Sequence, residues 1–114
     1  MLKSSIRAFS YSIEKRDTAW GFRAFLRDKN DYVISPWHNL DLKPNKELDN
    51  FTAFFEIPRD TTAKMEVASD ETNNPVKQDA KWDEDKLQYK LRHYMLNPCF
   101  NYGMIPQTWE NSKH

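Results

Sequence analysis

Residues 51–66, FTAFFEIPRDTTAKME, repeat a period of two twice within sixteen positions, and that restricts the chain to extended structure here. Phe51, Ala53, Phe55 and Ile57 fall on one side of an extended backbone and Thr52, Phe54 and Glu56 on the other, the alternation of a half-buried strand. Pro58 has no N–H to give a ladder and closes that strand. Asp60, Thr61 and Thr62 turn the chain, and residues 63–68 predict a second strand with Met65 and Val67 inward and Lys64 and Glu66 together on the opposite face. Antiparallel pairing of the two strands is expected to bring Glu56 towards Lys64 and Glu66. Considered alone, such a patch is a solvated sheet face, because charged pairs on exposed strands are nearly neutral energetically.

The same period recurs along the chain. Trp20, Phe22, Ala24 and Leu26 share one side of a predicted strand, with Arg23 and Arg27 opposite; residues 28–31 are a polar turn and 32–35 a short return strand that Pro36 ends. Residues 39–50, with Pro44 and mixed charges, read as an exposed connection. Residues 69–74 form a loop or a single helical turn capped by Ser69, and 76–80 are extended. Leu87, Tyr89, Leu91, His93 and Met95 alternate with Gln88, Lys90, Arg92 and Tyr94 in the longest strand candidate. Residues 97–114 have no strong period and are expected to lie as a loop across an apolar surface. The fold class is therefore mainly β.

A chain of 114 residues supports one domain, and 39% apolar residues with 14% aromatic residues predict a thin core. Lys+Arg and Asp+Glu are both 17, so no long-range field favours nucleic acid, and none is expected as a partner. Cys99, the single cysteine, has no intramolecular disulfide partner and no zinc spacing, and reads as a buried small apolar residue. His38 has no neighbouring ligand and is assigned to a loop hydrogen bond, while Asp83, Glu84 and Asp85 point apart on an extended chain and read as a solvated turn. No apolar run approaches the roughly 20 residues that span a bilayer. Residues 1–13 contain Lys3, Arg7 and four serines but no acid, the composition of a mitochondrial presequence. An ordinary tail is the alternative. The expected division is a leader or extended arm over 1–19, a domain over 20–110 and a tail over 111–114, with mitochondrial localisation.

Between residues 20 and 110 a series of short words resembles the soluble family I inorganic pyrophosphatases, especially their eukaryotic branch. They are Ser35-Pro36-Trp37-His38, Glu56-Ile57-Pro58-Arg59, Ala63-Lys64-Met65-Glu66, Glu71-Thr72, Asn74-Pro75, Gln78-Asp79, Asn101-Tyr102-Gly103 and Pro106-Gln107-Thr108-Trp109-Glu110, in family order and spacing. The resemblance implies part of an OB-like β-barrel, incomplete because the half that supplies the later strands is missing. It also implies a family reaction in which a magnesium-activated water attacks pyrophosphate. Glu56 and Glu66 are then acids near the metals, Lys64 a phosphate contact and Tyr102 a hydrogen-bond donor to the leaving phosphate. Three departures accompany it. Gln88 stands where the family's phosphate-gripping arginine falls when Lys86-Leu87 is aligned; Asn97-Pro98-Cys99-Phe100 replaces the family's His-His-Gly-Tyr; and the chain reaches His114 before the family's magnesium-holding aspartates.

No catalytic, cofactor-binding or metal residue is therefore assigned beyond the remnants Glu56, Lys64, Glu66 and Tyr102. No cofactor is expected for this chain, although magnesium serves the parent family. The leading expectation is an inactive accessory subunit of a large mitochondrial complex, its open barrel edges covered by other protein subunits. The alternatives are a fragment or split subunit of a working magnesium-dependent diphosphatase, and a module that holds phosphate at Lys64 and Tyr102 without cleaving it.

Overall fold

The computed structural model describes residues 11–113. Nine strands and no helix occupy them: β1 (Ser12–Thr18), β2 (Gly21–Arg27), β3 (Val33–Ile34), β4 (Phe54–Ile57), β5 (Met65–Val67), β6 (Val76–Gln78), β7 (Ala80–Asp83), β8 (Gln88–Leu91) and β9 (Tyr102–Met104). The main sheet runs β1-β2-β6-β5, with β3 also paired to β2; β4–β9 and β7–β8 are separate antiparallel ribbons. The fold is mainly β, and its sheets do not close into a barrel. The presequence-like composition of residues 1–13 lies almost wholly outside the described residues.

β1 and β2 form a hairpin whose register runs from Ser12↔Arg27 to Thr18↔Gly21, so the segment read as leader or arm contributes a strand from Ser12 onward. The two-residue turn places Trp20 in solvent, 87% exposed, instead of on the apolar side of β2. Gly21 follows at φ 96°, a conformation that a side chain disfavours. On β2, Leu26 is buried, while Arg23 reaches across to Glu71 in a two-pronged pair, Nε to Oε2 at 2.8 Å and Nη2 to Oε1 at 2.9 Å.

The pairing of the two strands in residues 51–68 differs from the sequence expectation. β4 pairs with β9, and β5 pairs with β6 through Met65↔Gln78, Glu66↔Lys77 and Val67↔Val76. Two local causes explain the exchange. The turn after β5 places Asn73 and Asn74 at φ 61° and 44°, a region Asn tolerates, and returns the chain onto β5, where the Ala68 N–H donates to Pro75 O at 2.8 Å. Of the two expectations for residues 69–74 the loop holds, closed by Asn74 N–H donating to Glu71 O at 3.0 Å. Gly103 opens β4 to β9, because a Cβ there would lie 2.0 Å from Phe54 O.

The predicted long strand over 87–95 is cut at both ends. Leu87 has φ 49° and belongs to the β7–β8 turn; β8 stops at Leu91, and His93 bridges Ala63 instead. The acidic run 83–85 is that turn, with Asp83 Oδ1 accepting from the Asp85 and Lys86 N–H groups at 3.1 and 3.2 Å.

The core is thin. Leu26, Leu40, Ile57, Ala68 and Val76 are its buried apolar members, joined by Pro36, Pro75 and Pro106. Burying a side chain the size of Ile57 contributes about 1.5–3 kcal/mol. Leu40 departs from the exposed reading of residues 39–50, and Cys99 is exposed where a buried residue was expected. Cys99 lies in a loop tied down by its backbone, Pro98 O accepting from Asp60 N–H at 2.9 Å, so its side chain is not needed for packing. At the centre the Ser35 hydroxyl donates to Asn74 Oδ1 at 2.6 Å, while its oxygen accepts from Trp37 and His38 N–H at 3.1 and 3.0 Å. His38 thus makes its loop hydrogen bond through the backbone, and its ring stacks on Trp37 with centroids 5.5 Å apart.

Gly103→Ala is expected to lower stability by about 1–3 kcal/mol, the range for overpacking, because its methyl would meet backbone. At Gly21 a Cβ would meet only the tip of Arg23 at 3.9 Å, so Gly21→Ala is limited to the backbone strain of about 1–2 kcal/mol. Urea unfolding of both variants checks the order; a larger loss for Gly21→Ala would refute the close-approach reading of Gly103.

Candidate functional site

Lys64, Asp79 and Arg92 come from three separate segments and are held by a closed ring of backbone hydrogen bonds. Lys64 N–H donates to Arg92 O at 3.1 Å, Arg92 N–H to Asp79 O at 2.8 Å, and Asp79 N–H to Lys64 O at 2.8 Å. The ring forms where the β7–β8 ribbon ends and the chain crosses to the segment leading into β5. The side chains repeat the junction: Lys64 Nζ and Arg92 Nη1 both donate to Asp79 Oδ2, at 2.5 and 2.7 Å. The Asp79 side chain is 16% exposed, and the Arg92 side chain 51%. The hydrogen bond from Lys64 holds the Asp79 carboxyl below its ordinary range, and the same bond raises the Lys64 ammonium. Gln78 Nε2 fixes the neighbourhood by donating to Arg92 O at 2.8 Å and meeting His93 Nε2 at 3.1 Å.

Glu66, two residues along β5, places Oε2 3.5 Å from Lys64 Nζ. Glu56 arrives by a different route. The β4–β9 ladder pairs Phe55 with Gly103 and Ile57 with Tyr102, leaving Glu56 as the extra residue of a bulge. The bulge re-aims the strand, so that Phe55 is exposed, Glu56 half-buried and Ile57 buried. The Glu56 carboxylate accepts from Val67 N–H at 2.7 Å, which links β4 to β5 without a ladder. Burial raises the Glu56 pKa above the ordinary carboxyl value, and the charge of Glu66 adds to this; the Val67 hydrogen bond and Lys64 oppose it.

The structure therefore gathers Glu56, Lys64 and Glu66 as the sequence implies, through a bulge and a side-chain hydrogen bond instead of direct strand pairing. Tyr102 begins β9 opposite Ile57, beside the bulge, and is 54% exposed. Gln88 is at the far end of the β7–β8 ribbon opposite Asp83, away from the junction. Residues 97–100 form an irregular loop. Asp79 and Arg92 are the site residues that strand periodicity missed. A usable signal existed: once residues 84–87 are taken as the hairpin turn, Asp79 and Arg92 are equidistant from it and fall opposite one another with opposite charge. Among the described residues no three His, Cys, Asp or Glu side chains converge as a metal site.

Chemically, the arrangement offers two cations and a half-buried carboxylate at one point, with two further carboxylates beside them. The family model for inorganic pyrophosphatase matches residues 53–113. A chloroplastic soluble inorganic pyrophosphatase of Arabidopsis thaliana is 43% identical over 82% of this chain and 28% of its own length; the Homo sapiens inorganic pyrophosphatase is 37% identical over 95% and 34%. The crystal structure of type I inorganic pyrophosphatase from Toxoplasma gondii superposes with a TM-score of 0.77 at 33% identity, over 92% of this chain and 45% of that one. The corresponding P falciparum enzyme gives 0.74 at 32% identity, over 93% and 34%. The chain thus spans about a third of the curated relatives it matches. Sequence words, family match and superposed backbone agree, and the chain belongs to the family I inorganic pyrophosphatases.

Proposed function

We propose that this chain is an inorganic pyrophosphatase-like protein that does not cleave diphosphate by itself, and that it serves as an accessory subunit of a larger mitochondrial assembly. The observation that carries this reading is the row of large apolar side chains left in solvent along the open ribbons. Trp82, Leu87, Tyr89, Leu91, Met95 and Leu96 are all exposed, between 45% for Trp82 and 100% for Met95, and every residue of β8 is exposed. An isolated two-stranded ribbon is at best marginally stable in water, and a row of this kind calls for a covering surface. Other protein subunits are the proposed cover. The basic, acid-free composition of residues 1–13 supports the mitochondrion as its place.

The donor set supports the inactive reading. Magnesium serves the family, and it requires near-octahedral oxygen coordination with carboxylates. Glu56 and Glu66 do not fit that requirement by themselves: one oxygen of Glu56 is taken by Val67 N–H, and Glu66 faces Lys64. What this chain's residues supply is a point of attachment for a phosphate group at Lys64.

A second reading is favoured by the proximity of Glu56, Lys64 and Glu66 together with the partial coverage of the relatives. In it the chain is one portion of a working magnesium-dependent diphosphatase, and further carboxylates come from beyond residues 1–114 or from a second polypeptide. The purified chain is expected to release no phosphate from pyrophosphate above background with magnesium present, and to migrate within a large complex in native separations of mitochondrial extract. Magnesium-dependent release by the chain alone would overturn the accessory role, as would a free monomer in the extract.

The raised Glu56 carboxyl gives a second expectation. A carboxyl whose folded pKa lies above its unfolded value binds more protons when folded, so it costs stability increasingly as pH rises through the folded pKa. Glu56→Gln keeps an acceptor for Val67 N–H and removes the charge. It is expected to raise the urea midpoint at pH 7 and to leave it unchanged at about pH 3, below the ordinary carboxyl range. A loss of stability at pH 7 would contradict the burial assigned to Glu56.

A further inference from the structure

We propose that the free edge of β8 docks an extended segment of another polypeptide, one that alternates apolar and acidic residues, as a third strand of the β7–β8 ribbon. One backbone bond fixes which groups of β8 are free. Arg92 N–H donates to Asp79 O at 2.8 Å, one step beyond the pairs Ala80↔Leu91, Lys81↔Lys90 and Trp82↔Tyr89. Hydrogen-bonded and non-hydrogen-bonded pairs alternate along an antiparallel ladder, so Lys90 bonds inward to β7 while Tyr89 and Leu91 turn their N–H and C=O groups outward. Among the described residues β8 has no partner strand besides β7. The outward groups are a template for main-chain pairing with a further strand.

The side chains say what the added strand must carry. Directly opposite residues share a face, so Ala80, Trp82, Tyr89 and Leu91 make one apolar face, with the Trp82 and Tyr89 rings edge-on and their centroids 5.0 Å apart. Tyr89 is 72% exposed and Leu91 54%. Lys81 and Lys90 stand opposite one another on the other face, and among the described residues neither has an ion-pair partner. Like charges so placed are destabilising. An acid on the added strand beside Lys90 relieves the pair, and apolar residues on either side of that acid continue the face of Tyr89 and Leu91. A lysine on an edge strand can also keep edges apart, but only by interrupting the apolar strip. Lys90 points away from this strip and leaves it whole. A second copy of the chain does not meet the requirement. Antiparallel self-pairing of β8 with Tyr89 opposite Leu91 puts Lys90 on Lys90; centred on Leu91 it puts Lys90 on Arg92, and centred on Tyr89 it offers Lys90 only the neutral Gln88.

This docking role rests on the accessory reading and names the chemistry of the cover over β8. Its test titrates the full chain with a short capped peptide of alternating valine and glutamate, and with the valine–lysine peptide as control. The formal net charge of the chain is zero, so a preference between them reports the edge and not the whole molecule. The glutamate peptide is expected to bind and to slow deuterium exchange at the Tyr89 and Leu91 amides, and the lysine peptide to do neither. Leu91→Pro removes an outward N–H without touching the ladder to β7, and is expected to weaken binding about tenfold, as for a hydrogen bond whose partner is left unpaired. Lys90→Glu, which leaves the backbone as it is, is expected to reverse the choice of peptide. Equal binding of the two peptides overturns the acidic partner, and unchanged exchange at Tyr89 and Leu91 overturns the edge. A dimer of the free chain that Leu91→Pro dissolves gives the edge to a second copy and overturns the proposal. All of these measurements are made on the chain alone, so their failure is distinguishable from failure of the accessory role, which native separation of the extract tests.

Discussion

Three peptide groups bonding one another in a ring, those of Lys64, Asp79 and Arg92, set the geometry on which the rest of the site depends. Each belongs to a different stretch of chain, and none could be placed by its own strand's periodicity. The ring ends the β7–β8 ribbon, starts the approach to β5 and orients the ladder of β6 through Asp79. Backbone hydrogen bonds of this kind add only about 0.5–1.5 kcal/mol each, but leaving such groups buried and unpaired costs more. The junction is therefore a matter of geometric necessity more than of strength. Side-chain charge then follows backbone position: the cations meet at Asp79 because their Cα atoms are already fixed.

Glu56 reaches the same neighbourhood by an irregularity instead of a ladder. A regular β4–β9 pairing would alternate without interruption, placing Glu56 on the face opposite both Phe55 and Ile57. The bulge removes that constraint, buries Ile57, and lets the carboxylate reach the Val67 N–H. The strand thus gives up one pairing position and gains a cross-link to β5. The cost appears in the raised Glu56 carboxyl, a group partly withdrawn from water with the Val67 hydrogen bond and the Lys64 charge to oppose the shift.

Much of this was legible in the sequence, and the illegible part has a common physical cause. Alternation located β2, β5 and β8 because a period of two is written in consecutive residues. Family words located Glu56, Lys64 and Glu66 for the same reason. Strand partners were not legible, since they depend on turn backbone at Asn73 and Asn74 and on the absent side chain of Gly103, features several residues from the strands they align. Trp20 misled because an aromatic residue next to a strand is indistinguishable by pattern from one within it. Cys99 misled because composition speaks for the average cysteine, whereas its loop is held by Pro98 O and Asp60 N–H. Asp79 and Arg92 escaped because their partnership exists only once the hairpin register is known.

The turn that begins at Ser35 is fastened to a segment far along the chain: Trp37 Nε1 donates to Thr108 O at 2.8 Å across 71 positions, and Gln107 N–H returns a bond to Trp37 O at 2.9 Å. Between the two attachment points lie six of the nine strands, β4 to β9; the β1–β2 hairpin and β3 precede them. A chain emerging from a ribosome can shape that hairpin early, from neighbours in sequence. It cannot fasten this seam, or pair β4 with β9, until the segment up to position 108 has cleared the exit, so Ile57 must wait for its cover. Vectorial synthesis thus creates an interval in which a chaperone has more to hold than the finished surface would suggest.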